Sequence, residues 1–146
     1  MHASRPANVL VVANLTAATP ALLDAVRARA AKGPVEFHLI VPNPVLAEWH
    51  PMHPYKHDTE AGEHILALAL PLIDEASGGH THGSASIRHD PMDAIEETLA
   101  AGEYDEIILS TLPPGVSRWL HADLPSRVEH LGLPLTTIIA KERVSA

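Results

Sequence analysis

The strongest constraint in this sequence is an alternation. Five short runs, "NVLVVAN", "VEFHLIVP", "SASIRH", "YDEIILS" and "LPLTTIIA", are separated by stretches whose apolar residues recur at helical spacing. Nearly continuous apolar, β-branched runs of this length read as strands buried on both faces. Buried strands separated by helices form a parallel sheet, because parallel neighbours need a crossover between them. The expected fold is therefore α/β: a single doubly wound domain over residues 1–146, with a five-stranded parallel sheet and helices on both faces.

The helical stretches carry their own punctuation. Thr19 stands as an N-cap before Pro20, Leu22, Leu23, Val26 and Ala30 make one face, and Gly33 ends the helix. From about Thr59 to Ala76 runs a second apolar stripe, which Pro71 is expected to kink. "GGHTHG" then reads as a break. "DPMDAIEETLAAG" starts with Asp90 as cap and Pro91 in the first turn, buries Met92, Ile95 and Leu99, and stops at Gly102. Leu124, Val128 and Leu131 give a last helical face ending at Gly132. In doubly wound folds ligands sit beyond the carboxyl ends of the strands, where strand order reverses. That singles out Asn14 to Thr19, Val41 to His57, His89 to Asp90, and Ser110 to Ala122.

Composition narrows the function. At 146 residues and 46% hydrophobic, the chain can bury a core, yet two Trp, two Tyr and one Phe leave that core to Val, Leu, Ile and Ala. A net charge of −8 has the wrong sign for attraction to nucleic acid or anionic lipid. With no cysteine, disulfides, thiolate metal sites and cysteine nucleophiles are excluded. "HILALALPLI" is short of the roughly 20 apolar residues that span a membrane, and "MHASRPANVL" has no signal-peptide pattern. A cytoplasmic protein is expected, binding neither nucleic acid nor membrane.

With "NVLVVAN" as first strand, "DPMDAIEETLAAGEYDEIILST" as helix and fourth strand, and "GVSRWLHADLPSRVEHLGLPLTTII" as final loop, helix and strand, the chain resembles the universal stress proteins. The resemblance implies a non-enzymatic stress-response or regulatory role and, in members that bind it, ATP or another adenine nucleotide. In such members a glycine-rich loop after the fourth strand turns backbone N–H groups toward the phosphates. Here Pro113 stands for the first glycine, Gly115 keeps the second, and Ala122 and Asp123 occupy the later Gly-Ser/Thr position. Asn14 replaces an acidic residue at the end of the first strand, and Val41 matches the place where adenine is held by backbone contacts. Carried over residue by residue, the nucleotide contacts fall on Asn14, Val41, Thr111, Gly115, Ser117 and Arg118. Asp123 would cap the last helix and repel phosphate. The competing reading of the loop is a turn stiffened by Pro113 and Pro114, with Trp119 packed. The resemblance also implies a homodimer through the last strand, and a protein partner fits a regulatory role.

Eleven histidines raise an alternative. His50, His53 and His57 share one loop and, joined by His89, form a candidate set for zinc, copper or nickel. His80 and His82 are expected at the opposite edge of the sheet, and His38, His64 and His130 are expected to be packing or surface residues. No nucleophile elbow, Walker loop or receiver-type acidic pair is present, so the chain is read as not an enzyme.

Overall fold

A computed structural model of the chain describes residues 5–44, 59–113 and 117–140. Its elements follow in the order β1 (Ala7–Val12), α1 (Pro20–Ala30), β2 (Val35–Val41), α2 (Glu60–Ser77), β3 (Thr81–Ala85), α3 (Pro91–Ala101), β4 (Glu106–Thr111), α4 (Arg118–His121), α5 (Leu124–Glu129) and β5 (Leu135–Ile139). The strands pair in parallel in the order β3-β2-β1-β4-β5. Strand order therefore reverses between β1 and β4.

Side chains alternate across a strand, so each central strand feeds two cores. On one face Val9 and Val11 of β1 and Phe37 and Leu39 of β2 meet Leu22 and Val26 of α1 and Ala69 and Ile73 of α2. On the other, Leu10 and Val12 meet Met92 and Ile95 of α3 and Leu124 and Val128 of α5. Helices thus cover both faces, as the alternation predicts.

The strand "SASIRH" lies earlier than its sequence suggests. β3 is Thr81–Ala85, so half of the supposed break belongs to the sheet, with His82 opposite His38 and Gly83 opposite Leu39. The reason is packing. A Cβ on Gly83 would lie 2.7 Å from Leu66 Cδ1 and 3.0 Å from the Leu39 carbonyl oxygen, so glycine here admits α2 rather than ending a strand.

Pro71, where a kink is expected, lies inside α2, which continues through it; the proline and Ala67, whose carbonyl loses its donor, lie on the exposed side. Two local readings change. Thr19 occupies the N-cap position of α1, but its hydroxyl donates back to the Thr16 carbonyl at 3.0 Å. Asp123 precedes α5 in a left-handed conformation with φ 56° and makes no side-chain capping bond. Asp90, by contrast, caps α3 as expected, accepting from Met92 N at 2.9 Å.

Candidate functional site

At the carboxyl edge of the sheet, over the β1/β4 reversal, lies a cavity of about 470 Å³. Each expected loop contributes: Asn14 and Thr16 after β1, Asn43 and Pro44 after β2, His89 and Asp90 after β3, and Ser110, Thr111 and Ser117 after or within β4 and its loop. Arg118 and Trp119 of α4 and Arg127 of α5 complete the wall.

Its polar groups are mostly donors. Asn14 Oδ1 accepts from Leu15 N, leaving the amide NH₂ of Asn14 to donate. Thr16 Oγ1 and Ser110 Oγ are 2.7 Å apart and buried; one hydroxyl hydrogen is used between them and the second is left over. Ser117 Oγ accepts from Leu120 N at 3.1 Å, capping α4 and keeping its own hydrogen to give. Thr111 differs. Its hydroxyl already donates to the Leu112 carbonyl at 3.0 Å, so it offers lone pairs rather than a hydrogen.

The charges are unusual for this chain. Two guanidinium groups, Arg118 and Arg127, face one carboxylate, Asp90, in a molecule of net charge −8. Asp90 is engaged twice, by Met92 N and by Arg127 at 3.6 Å. The cavity wall is therefore cationic while the molecule as a whole is anionic, a local field that favours an anion.

Of the residues singled out from sequence, Asn14, Thr111, Ser117 and Arg118 line this cavity. Val41 does not line it. Val41 is buried and its carbonyl accepts from Ser86 N at 2.9 Å; Asn43 and Pro44 take its place in the wall. Gly115 lies outside the described residues. Asp123 does not line the cavity, so the carboxylate expected to repel phosphate is not in its wall. Arg127 and the Thr16–Ser110 pair were not legible as site residues, because only the tertiary fold brings α5 to α3 and the β1 loop to β4.

His50, His53 and His57 lie outside the described residues, and His89 belongs to the cavity wall. Among the described residues no three His, Asp or Glu side chains are placed to hold a metal ion. On the sheet face away from α1 and α2, half-buried His38 meets Tyr104 Oη through Nδ1 at 2.6 Å and Ser84 Oγ through Nε2 at 3.0 Å, and stacks on His82 with ring centroids 4.7 Å apart. Burial, followed by the neighbouring His82, lowers the His38 pKa, and burial raises that of Tyr104.

No protein-family model and no curated protein matches the sequence. Solved structures do match the fold. The universal stress protein from Archaeoglobus fulgidus aligns with 92% of this chain and 94% of its own, at TM-score 0.61 and 13% identity. The universal stress protein from the same organism in complex with dAMP aligns over 91% and 97%, at TM-score 0.57 and 12% identity. A universal stress protein in complex with cAMP aligns over 94% and 100%, at TM-score 0.61 and 17% identity. The chain has the universal stress protein fold.

Proposed function

We propose that this chain binds an adenine nucleotide in the cavity at the β1/β4 reversal and acts by that binding, as a regulatory stress-response protein rather than an enzyme. The observation that carries the reading is the cavity's cationic, donor-rich wall in an otherwise anionic molecule. Similar structures complexed with dAMP and cAMP support the choice of an adenine nucleotide. The phosphate end belongs beside Ser117, Arg118 and Arg127, where the spare hydrogen and the guanidinium groups lie. The base belongs on the β2 side, against Asn43, Pro44 and Leu15. A homodimer through β5 is part of the same reading.

Calorimetric titration with AMP, cAMP and magnesium ATP tests it. Saturable binding with a dissociation constant of about 1–100 μM is expected, weakened about tenfold or more by Arg118→Ala. Adenosine should lose little affinity in that variant, since it has no phosphate. No saturable heat with any of the three up to millimolar concentration overturns the reading, and steady release of ADP from ATP overturns its non-enzymatic part.

A further inference from the structure

On the sheet face away from α1 and α2, a groove of about 560 Å³ runs between α3 and the edge strand β3. It shares no lining residue with the nucleotide cavity among those described. His38 and Ile40 of β2 and His82 and Ser84 of β3 form its floor, and Thr98 and Ala101 of α3 stand along one side.

Three of its groups form a line of hydrogen bonds. Ser84 Oγ lies 3.0 Å from His38 Nε2, and Tyr104 Oη lies 2.6 Å from His38 Nδ1. Both partners are hydroxyls, able to donate or to accept. Burial raises the Tyr104 pKa, so the phenol keeps its proton at neutral pH. Burial, followed by His82, lowers that of His38, so the ring there is neutral. A neutral ring that gives its Nδ1 proton to the Tyr104 oxygen has a lone pair on Nε2 to accept from Ser84. In that form the histidine can take the proton of a serine as the serine attacks. His82 stacks on the His38 ring at 4.7 Å and holds its plane, while Ser84 is exposed and open to a reagent.

The backbone adds a donor. Phe37 N donates to the His80 carbonyl at 2.8 Å and Ser86 N to the Val41 carbonyl at 2.9 Å, so even-numbered residues of β3 bond to β2. Ala85 follows Ser84 and lines the groove, and its N–H therefore points to the side of β3 with no strand partner among the described residues. The residue after a nucleophile is one from which an N–H supports an acyl oxygen as it becomes anionic. A metal ion suits the groove less, because two rings within 21° of parallel direct their lone pairs along separate planes. Glu97, the carboxylate in the lining, is already held by Arg88 at 2.6 Å. The rest of the surface is apolar, as at Ile40, Ala85 and Ile87, or bears hydroxyls, which fits a small uncharged acyl group.

We propose that Ser84 is a nucleophile, with His38 as its base and Tyr104 as positioning residue, and that it takes the acyl group of a small uncharged activated ester bound in this groove. Ser84 Oγ bonds to the acyl carbon as the bond from that carbon to the leaving oxygen breaks. The serine proton passes to His38 Nε2 and on to the departing oxygen, so the products are the acyl ester of Ser84 and a free alcohol or phenol. One acyl group per chain modifies the protein. The step needs neither turnover nor a bound nucleotide, so it does not rest on the nucleotide reading.

The test uses p-nitrophenyl acetate, with acetylated residues located and timed by peptide mass spectrometry. It compares the full chain, Ser84→Ala, His38→Gln and Tyr104→Phe, each checked for fold by circular dichroism, with a synthetic peptide of residues 81–87. Ser84 should be acetylated about 100-fold or more faster in the full chain than in the peptide, and should lose that gain in His38→Gln. Release of p-nitrophenolate should slow in Ser84→Ala. The Ser84 rate should be level above about pH 7 and fall below the ordinary histidine value of about 6.5, as the ring gains its proton. Tyr104→Phe should lower the level several-fold and move the fall to lower pH, because the phenol oxygen no longer supports the charged ring at Nδ1. An unmoved midpoint in that variant overturns the part given to Tyr104. Acetylation confined to lysines or to His82 overturns the proposal, as does Ser84 reacting at the peptide's rate or equally in His38→Gln.

Discussion

Asp90 does two jobs whose effects separate under mutation. Its Oδ1 caps α3 and its Oδ2 lies 3.6 Å from Arg127, neutralising one of the two cations in the cavity wall. Asp90→Ala should cost about 1 kcal/mol of stability through the lost cap, read as a lower urea midpoint. The same change should tighten AMP binding about threefold or more, because Arg127 then acts on the phosphate alone. Weaker AMP binding in this variant would mean that Arg127 needs its carboxylate to be positioned. His38 carries a different prediction. Burial and His82 lower its pKa in the folded state, so folding favours the neutral ring. Stability from this group is whole above the unfolded value of about 6.5 and is lost as pH falls through the depressed folded value. The unfolding free energy should therefore fall more steeply between about pH 7 and 5 in the natural protein than in His38→Gln. Identical slopes would remove His38 from the acid response.

At the scale of elements, the contact between α2 and β3 depends on absent side chains. Gly83 lies under Leu66 and beside the Leu39 carbonyl, and a Cβ on Gly62 would come within 3.0 Å of Ala85 Cβ. A backbone carbonyl in a paired strand has no room to move aside. Gly83→Val should destabilise the chain by about 1–3 kcal/mol, seen as a lower denaturation midpoint. An unchanged midpoint would show that α2 can lift from the sheet at no cost. This contact also explains what the sequence hid. Long apolar runs such as "NVLVVAN" and "YDEIILS" declare themselves because both faces of a central strand are buried, and Asp90 before Pro91 declares a helix start from local chemistry alone. β3 is an edge strand of Thr, His, Gly, Ser and Ala, chosen for fit under α2, and its pattern resembles a turn. Of the cavity, the contributing loops are legible from topology, and Asn14, Thr111, Ser117 and Arg118 from the resemblance. Arg127 was not, since its value as a site residue comes from a contact with Asp90 across 37 positions of sequence (127 − 90).

For the whole molecule, the sheet has two edges, and they are not alike. β3 is one, set with His82 and Ser84. β5 is the other, LTTII, without proline and with Ile139 44% exposed. Its inner hydrogen bonds fix which groups face outward. The Pro134 carbonyl accepts from Ile107 N, and Ala140 N donates to the Thr111 carbonyl, so even-numbered residues bond to β4. By the two-residue period, the backbone N–H groups of Leu135, Thr137 and Ile139 point away from the sheet. Outward groups that have no strand partner among the described residues form a template for a further strand. A twofold axis near Thr137 would set Leu135 of one copy opposite Ile139 of the other and continue the sheet across both. The chain should therefore sediment as a dimer at micromolar concentration, and Ile139→Lys should shift it toward monomer by placing a charge in that contact. Because Ile139 lies away from the cavity wall, the variant should keep its AMP affinity if each protomer binds by itself. If affinity falls together with the dimer, the second copy is needed to hold the cavity in its binding form, and nucleotide and dimer are then linked, each stabilising the other.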